Sequence, residues 1–240
     1  MASILRRRRD HAKVVLDESL KCFTDQNDAW GVALATTYLG IASAFEPGFE
    51  DEARPLMLEG QARFRAMGDD WGLSTASHYL GSIAMRRGDF AAARELTLEM
   101  LGVAREVSDN YRVARNLHQL AEIALAEGDI GKATEHLSCS LKLNFEQGRT
   151  GDGAQQLRLM ARLDALTNRP ERVARLLAAA SRLAASERTL PPDDPAVNES
   201  VLEGAKESLG KQKFESEWAR GLAMSFDQAV AFAAAPHSAP

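Results

Sequence analysis

The sequence predicts an all-α chain: a right-handed α-solenoid of antiparallel helix pairs, closed by a helical C-terminal cap. Three observations lead there. The 240 residues include 40 alanines but only 6% aromatics, a bias toward closely packed helices and away from a β-sandwich. No proline occurs between Pro55 and Pro170, so this long stretch is free to run as successive helices. Helix-ending turns recur across it at a fixed spacing of 40 residues, the signature of stacked helix pairs.

The turns come in two alternating sets. Gly88-Asp89-Phe90, Gly128-Asp129-Ile130 and Asn168-Arg169-Pro170 form one set; Gly68-Asp69-Asp70-Trp71, Ser108-Asp109-Asn110-Tyr111 and Gly148-Arg149-Thr150-Gly151 form the other. In each, a residue suited to the left-handed helix-ending conformation precedes a polar cap or an N1 proline. Small residues repeat in register at Ala12, Ala53, Ala93 and Ala133, continued by Val173. A second register pairs a large residue with a small one: Leu39-Gly40, Leu80-Gly81, Leu120-Ala121 and Met160-Ala161. Paired helices need a small side chain at their closest approach and a large one beside it.

These registers place a first helix at about 5–26. First helices of pairs follow at about 29–45, 70–87, 110–127 and 150–167, and second helices at about 50–67, 90–107, 130–147 and 170–187. The segment Leu190-Pro191-Pro192-Asp193-Asp194-Pro195 reads as a break. Three shorter helices follow at about 196–209, 211–223 and 226–234, the last opened by a Ser225/Gln228 capping box, with a frayed tail after Ala235. The expected organisation is therefore a half repeat over 1–27, four helix pairs over 28–188, and a break with a helical cap over 189–240. Residue Ala12 puts the first helix in the register of a second helix whose own first helix is missing. That leaves Val15, Leu16, Leu20 and Phe23 exposed and makes self-association one reading.

The net charge of −5 gives no reason to expect nucleic acid or an acidic lipid surface as a partner. Cys22 and Cys139 show neither CxxC spacing nor a nearby metal-finger histidine, and are expected to be buried free thiols in a reducing compartment. No apolar run is long enough to span a membrane, and the start of the chain lacks the apolar region of a secretory signal. A cytoplasmic location is expected.

The stretch Leu80-Gly81 … Arg87-Gly88-Asp89-Phe90-Ala91-Ala92-Ala93-Arg94 resembles a tetratricopeptide repeat. Leu120-Ala121 … Glu127-Gly128-Asp129-Ile130-Gly131-Lys132-Ala133 repeats it. The period of 40, against the usual 34 of that family, looks like the MalT-like variety. The terminal block is similar to the end of the repeat region in bacterial signal-transducing ATPase regulators, LuxR-type transcription regulators among them. It runs from Arg169-Pro170-Glu171-Arg172-Val173-Ala174-Arg175 through Phe214, Trp218-Ala219-Arg220-Gly221 and Met224-Ser225 to Gln228-Ala229-Val230-Ala231-Phe232-Ala233. The resemblance implies a module for protein–protein interaction or effector sensing, the arm of such a regulator. ATPase and DNA-binding activities do not carry over. The nearest P-loop-like stretch, Gly204 to Lys211, has one residue too many between its glycines and Gln212 where Ser or Thr is required.

In that family the first helices line a groove, and equivalent positions stack across repeats. One stack is Thr37, His78, His118 and Arg158. Four residues on lie Ile41, Ser82, Glu122 and Arg162, and three before lie Leu34, Thr75, Arg115 and Gln155. Such positions share one helix face. The expected ligand face is His78, Ser82, Arg86, Arg115, His118, Glu122, Gln155, Arg158 and Arg162, apolar at the Leu34, Ile41 and Phe45 end and basic at the other. It suits a protein or peptide ligand with an acidic part; the alternative is a merely solvated inner face.

Other constellations are weaker. His78, His118 and Glu122 offer too few ligands for a metal site, and no cofactor is expected. Trp30, Trp71 and Tyr111 could stack on nucleic acid, but they open first helices and are expected to seal the core between repeats. Arg6 to Arg9 read as a solvated first turn or an interface. No catalytic motif emerges, no catalytic residue is expected, and an enzyme built in the groove around His118 is a remote alternative.

Overall fold

The computed structural model describes residues 2–44, 48–185 and 195–235. The Leu190 to Asp194 break, Phe45 and the tail from Pro236 onward, His237 included, lie outside the described residues, as do the side chains of Arg6 to Arg9. The described chain is all α and forms two compact units, Met1–Val107 and Ser108–Pro240. The first holds α1 (Ala2–Asp25), α2 (Ala29–Ala44), α3 (Glu50–Met67), α4 (Asp70–Arg86) and α5 (Phe90–Glu106). The second holds α6 (Asn110–Ala126), α7 (Ile130–Glu146), α8 (Thr150–Leu166) and α9 (Pro170–Ala185), then α10 (Pro195–Leu209), α11 (Lys211–Ala223) and α12 (Phe226–Ala234). Sequential helices pack as antiparallel pairs within each unit, as expected of a tetratricopeptide-like solenoid.

The turns follow the sequence pattern closely. Gly68, Gly88, Gly128 and Gly148 adopt positive φ, and so do Asn27, Ser108 and Asn168 at the equivalent places. One left-handed residue reverses the chain and satisfies the last carbonyls of the preceding helix. An aspartate then caps the next helix. Asp28 accepts from Gly31 N, Asp69 from Gly72 N, Asp89 from Ala92 N, Asp109 from Arg112 N and Asp129 from Lys132 N, at 2.6–3.0 Å. Ser225 and Gln228 form the reciprocal capping box of α12.

In the first unit, α3 lies between α2 and α4. Its Ala53, Met57, Gly60, Gln61 and Phe64 are buried. A Cβ added at Gly40 would stand 2.7 Å from Met57 Cγ and 3.1 Å from the Ala53 carbonyl oxygen. Gly40 therefore marks a close approach of α2 and α3. Phe64 fills the space left by the missing side chain of Gly72 in α4. Gln61 Nε2 donates to Ser77 Oγ at 2.9 Å, a buried polar tie between α3 and α4.

Residues α6 to α9 of the second unit repeat this scheme. Ala133, Leu137, Ser140, Leu141 and Asn144 of α7 are buried. Gln156 Nε2 donates to Ser140 Oγ, which donates to the Ala114 carbonyl, so α6, α7 and α8 are tied by one buried chain of hydrogen bonds. The cap closes over α9. Gly221 lets α11 meet the backbone of Arg175, and Phe226 of α12 packs on Gly153 of α8 and, edge-on at 5.7 Å, on Phe145 of α7. Arginines of α9 hold it: Arg172 donates to the Phe232 and Ala233 carbonyls, Arg175 pairs with buried Glu217, and Arg182 donates to the Met224 carbonyl. Arg172 also neutralises Asp164, which is 2% exposed, at 2.9 Å.

Three expectations are corrected. Both cysteines are exposed, because each falls on the outer face of its second-type helix, off the buried register. Trp30 and Trp71 are 42% and 47% exposed and are not core residues. They stack on each other at 6.4 Å, and Trp30 Nε1 donates to the capping Asp69 at 2.9 Å. The rings thus bridge consecutive repeats at the surface. Of the apolar residues of α1, Val14 and Val15 are exposed, but Leu16, Leu20 and Phe23 are half-buried against α2.

Candidate functional site

The expected ligand face falls on α4 in the first unit and on α6 and α8 in the second. Each unit carries its own part. Helical spacing places His78, Ser82 and Arg86 along one face of α4. His78 and Ser82 are half-buried. The His78 ring meets Tyr79 edge-on at 5.3 Å, and Ser82 Oγ donates to the His78 carbonyl at 3.2 Å. Arg86 has a different task. It donates to Glu50 Oε1 at 3.1 Å and to the Ala44 carbonyl at 3.0 Å, joining the end of α2 to the start of α3. Further back, Thr37 and Ile41 of α2 are buried in the packing of α2 with α3 and α4, and Leu34 is half-buried. Position by position α2 matches the register, yet its residues are core, because small partners such as Gly60 draw the helices together there.

The second unit keeps the basic part together. Arg115, His118 and Glu122 follow one face of α6, and Gln155, Arg158 and Arg162 follow one face of α8; all six are half-buried. His118 Nε2 stands 4.0 Å from Glu122 Oε1, and the two side chains are 15% and 27% exposed. His118 Nδ1 is buried and has no hydrogen-bond partner among the described residues. Arg115, Arg158 and Arg162 thus share these two helix faces with His118 and Glu122. No group of three or more metal-ligating side chains converges among the described residues. No described helix is long and apolar enough to cross a membrane.

Several carboxylates around the repeat turns are held below their ordinary range. A hydrogen bond from the Lys213 ammonium, aided by the N–H groups at the start of α9, lowers Glu171. Backbone N–H groups, its own and that of Gly48, lower Glu50 against partial burial, with Arg86 assisting. Burial pushes Asp109 upward, but the backbone and side-chain hydrogen bonds from Arg112 outweigh it.

Sequence reasoning missed the interaction at Arg149. The first-helix caps run Asp28, Asp69, Asp109 and then Arg149, which makes no capping bond. Its guanidinium lies over the ring of Tyr111 instead. The signal was present as one basic residue in an acidic register, but nothing in one dimension says what it covers.

No curated protein matches the chain. Residues 72–144, from α4 to α7, match the tetratricopeptide repeat family.

Proposed function

We propose that the chain is a protein-interaction module whose second unit binds an acidic peptide along α6 and α8. Tetratricopeptide repeats generally mediate protein–protein interaction, and the observation that carries the peptide reading is the basic face built by Arg115, Arg158 and Arg162 beside His118, Glu122 and Gln155. An extended or helical segment laid along two neighbouring helices would meet these groups at repeated spacing. Partial burial raises the worth of each charge pair above that of a fully solvated one.

The test is fluorescence polarisation with a labelled oligoglutamate peptide and the 240-residue chain. Saturable binding that Arg158→Glu with Arg162→Glu weakens by about tenfold or more, and that added salt weakens, supports the reading. Binding indifferent to the charge reversal removes it.

The resemblance of the terminal block to bacterial signal-transducing ATPase regulators supports a wider role, as the arm that biases an attached domain between two states. An immunoblot of source cells against residues 211–234 tests that role. A band much larger than 26.2 kDa supports it, and a band near that mass points to a free-standing adaptor.

A further inference from the structure

We infer that the exposed Trp30–Trp71 pair of the first unit is an arginine-binding point for a basic segment of a partner protein. Three contacts hold Trp30. Its ring stacks on Trp71 at 6.4 Å, meets buried Phe64 edge-on at 6.4 Å, and its Nε1 donates to Asp69 at 2.9 Å. Asp69 is fixed in turn, because its other oxygen accepts from Gly72 N at the start of α4. The two indoles nonetheless stand 42% and 47% exposed. Large rings already held in place lose little freedom when a ligand settles on them.

The second unit shows what a ring in this register takes. Trp30, Trp71 and Tyr111 each follow a capping aspartate, Asp28, Asp69 or Asp109, by two residues. At Tyr111 the chain supplies its own cation. Arg149, from the next capping position, lays its guanidinium over the ring and pairs with Asp152, and Tyr111 is half-buried. A planar cation is thereby satisfied by an aromatic face and a carboxylate together. After Trp30 the next capping position is Asp69, which accepts from the indole N–H and brings no cation to the ring. The charge around the tryptophans has the sign that attracts one. Residues 25–31 and 68–72 contain Asp25, Asp28, Asp69 and Asp70 and no basic residue. Arg65, near the end of α3, is engaged by Glu99 at 3.1 Å. Indole attracts cations more strongly than the other aromatic side chains do, and neighbouring carboxylates add to the field. Nucleic acid would bring phosphates to these same carboxylates, and a purely apolar ligand would gain nothing from them. A guanidinium-bearing protein segment uses both the rings and the charge.

The probe is a fluorescein-labelled arginine–glycine repeat peptide, titrated with the full chain and followed by anisotropy. Saturable binding is expected. Trp71→Leu should weaken it by about fivefold or more, the worth of one partly exposed cation–aromatic contact. Trp71→Tyr keeps a ring and should bind within about twofold of the parent. Asp28→Asn retains a helix cap while removing a charge, and should also weaken binding. Circular dichroism of the three variants should match the parent. A peptide with citrulline in place of arginine keeps the shape without the charge and should not saturate. Absence of saturable binding of the arginine peptide overturns the inference. So does binding that Trp71→Leu leaves unchanged, which would show only diffuse attraction to an acidic chain. Equal binding of the citrulline peptide would show apolar docking on the rings and overturn the guanidinium assignment. Displacement of the arginine peptide by an oligothymidylate would assign the rings to nucleic acid and overturn it as well. None of these readouts involves Arg158 or Arg162, so this surface and the acidic-peptide face stand or fall separately.

Discussion

Arg149 lies over the ring of Tyr111, its guanidinium carbon 4.0 Å from the ring centroid, at the place where the preceding first helices keep a capping aspartate. It also pairs with Asp152 at 2.5 Å. The turn before α8 thus exchanges a helix cap for a contact that ties α8 to the start of α6. A double-mutant cycle of Arg149→Ala and Tyr111→Leu, read by urea denaturation, should give a coupling of about 0.5–1 kcal/mol, the range for a solvent-accessible cation–aromatic pair. Additive single effects would show that the stacking contributes nothing.

The register of capping aspartates makes a uniform prediction. Asp89→Ala and Asp129→Ala each leave orphan N–H groups at the start of a second helix. Each should cost about 1 kcal/mol, and Asp→Ser at either site should recover most of it. Equal losses from the alanine and serine variants would refute the capping role.

Glycines separate by what surrounds them. A Cβ at Gly221 would stand 2.7 Å from Ala178 Cβ and 2.8 Å from Arg175 Cα, so it would push backbone apart. Gly221→Ala should therefore destabilise the cap by about 1–3 kcal/mol. At Gly102 in α5 and Gly204 in α10 an added Cβ meets nothing within 4 Å. Alanine there should stabilise by about 0.5–1 kcal/mol through helix propensity and a less flexible unfolded chain. Thermal melts of the three single variants check the opposite signs.

Stability should depend on acid in one direction. Glu50, Asp109 and Glu171 have depressed values in the folded chain. The stability they contribute is present above the ordinary carboxylate range of about 4 and is lost as pH falls through their lowered values. The urea midpoint should be level near neutrality and decline in acid, and Lys213→Met should reduce the decline by removing the main cause at Glu171. A midpoint that falls well above the carboxylate range would point to another group.

Much of this molecule is legible in one dimension. A left-handed residue followed by aspartate ends one helix and starts the next by local chemistry alone, so the sequence spacing predicts the helix boundaries to within a few residues. The small-residue register likewise states which faces meet, since Ala53, Ala93 and Ala133 must be small wherever two helices touch.

The ligand face was legible in part. Helical periodicity alone puts Arg115, His118 and Glu122 on one face of α6, and Arg158 with Arg162 on one face of α8. It could not say that Arg86 would be drawn onto Ala44 and Glu50, or that Thr37 and Ile41 would be core. It could not seat Arg149 on Tyr111, put the cysteines outside, or insert Phe226 over Gly153. The division has a physical cause. Turns, caps and periodicity arise from neighbours within about four residues, which the sequence determines by itself. Whether a given face is buried, paired or open depends on other helices, 16 residues away for Gln61 and Ser77 and farther for Phe226 and Gly153, and only tertiary packing decides which of them arrives and how closely.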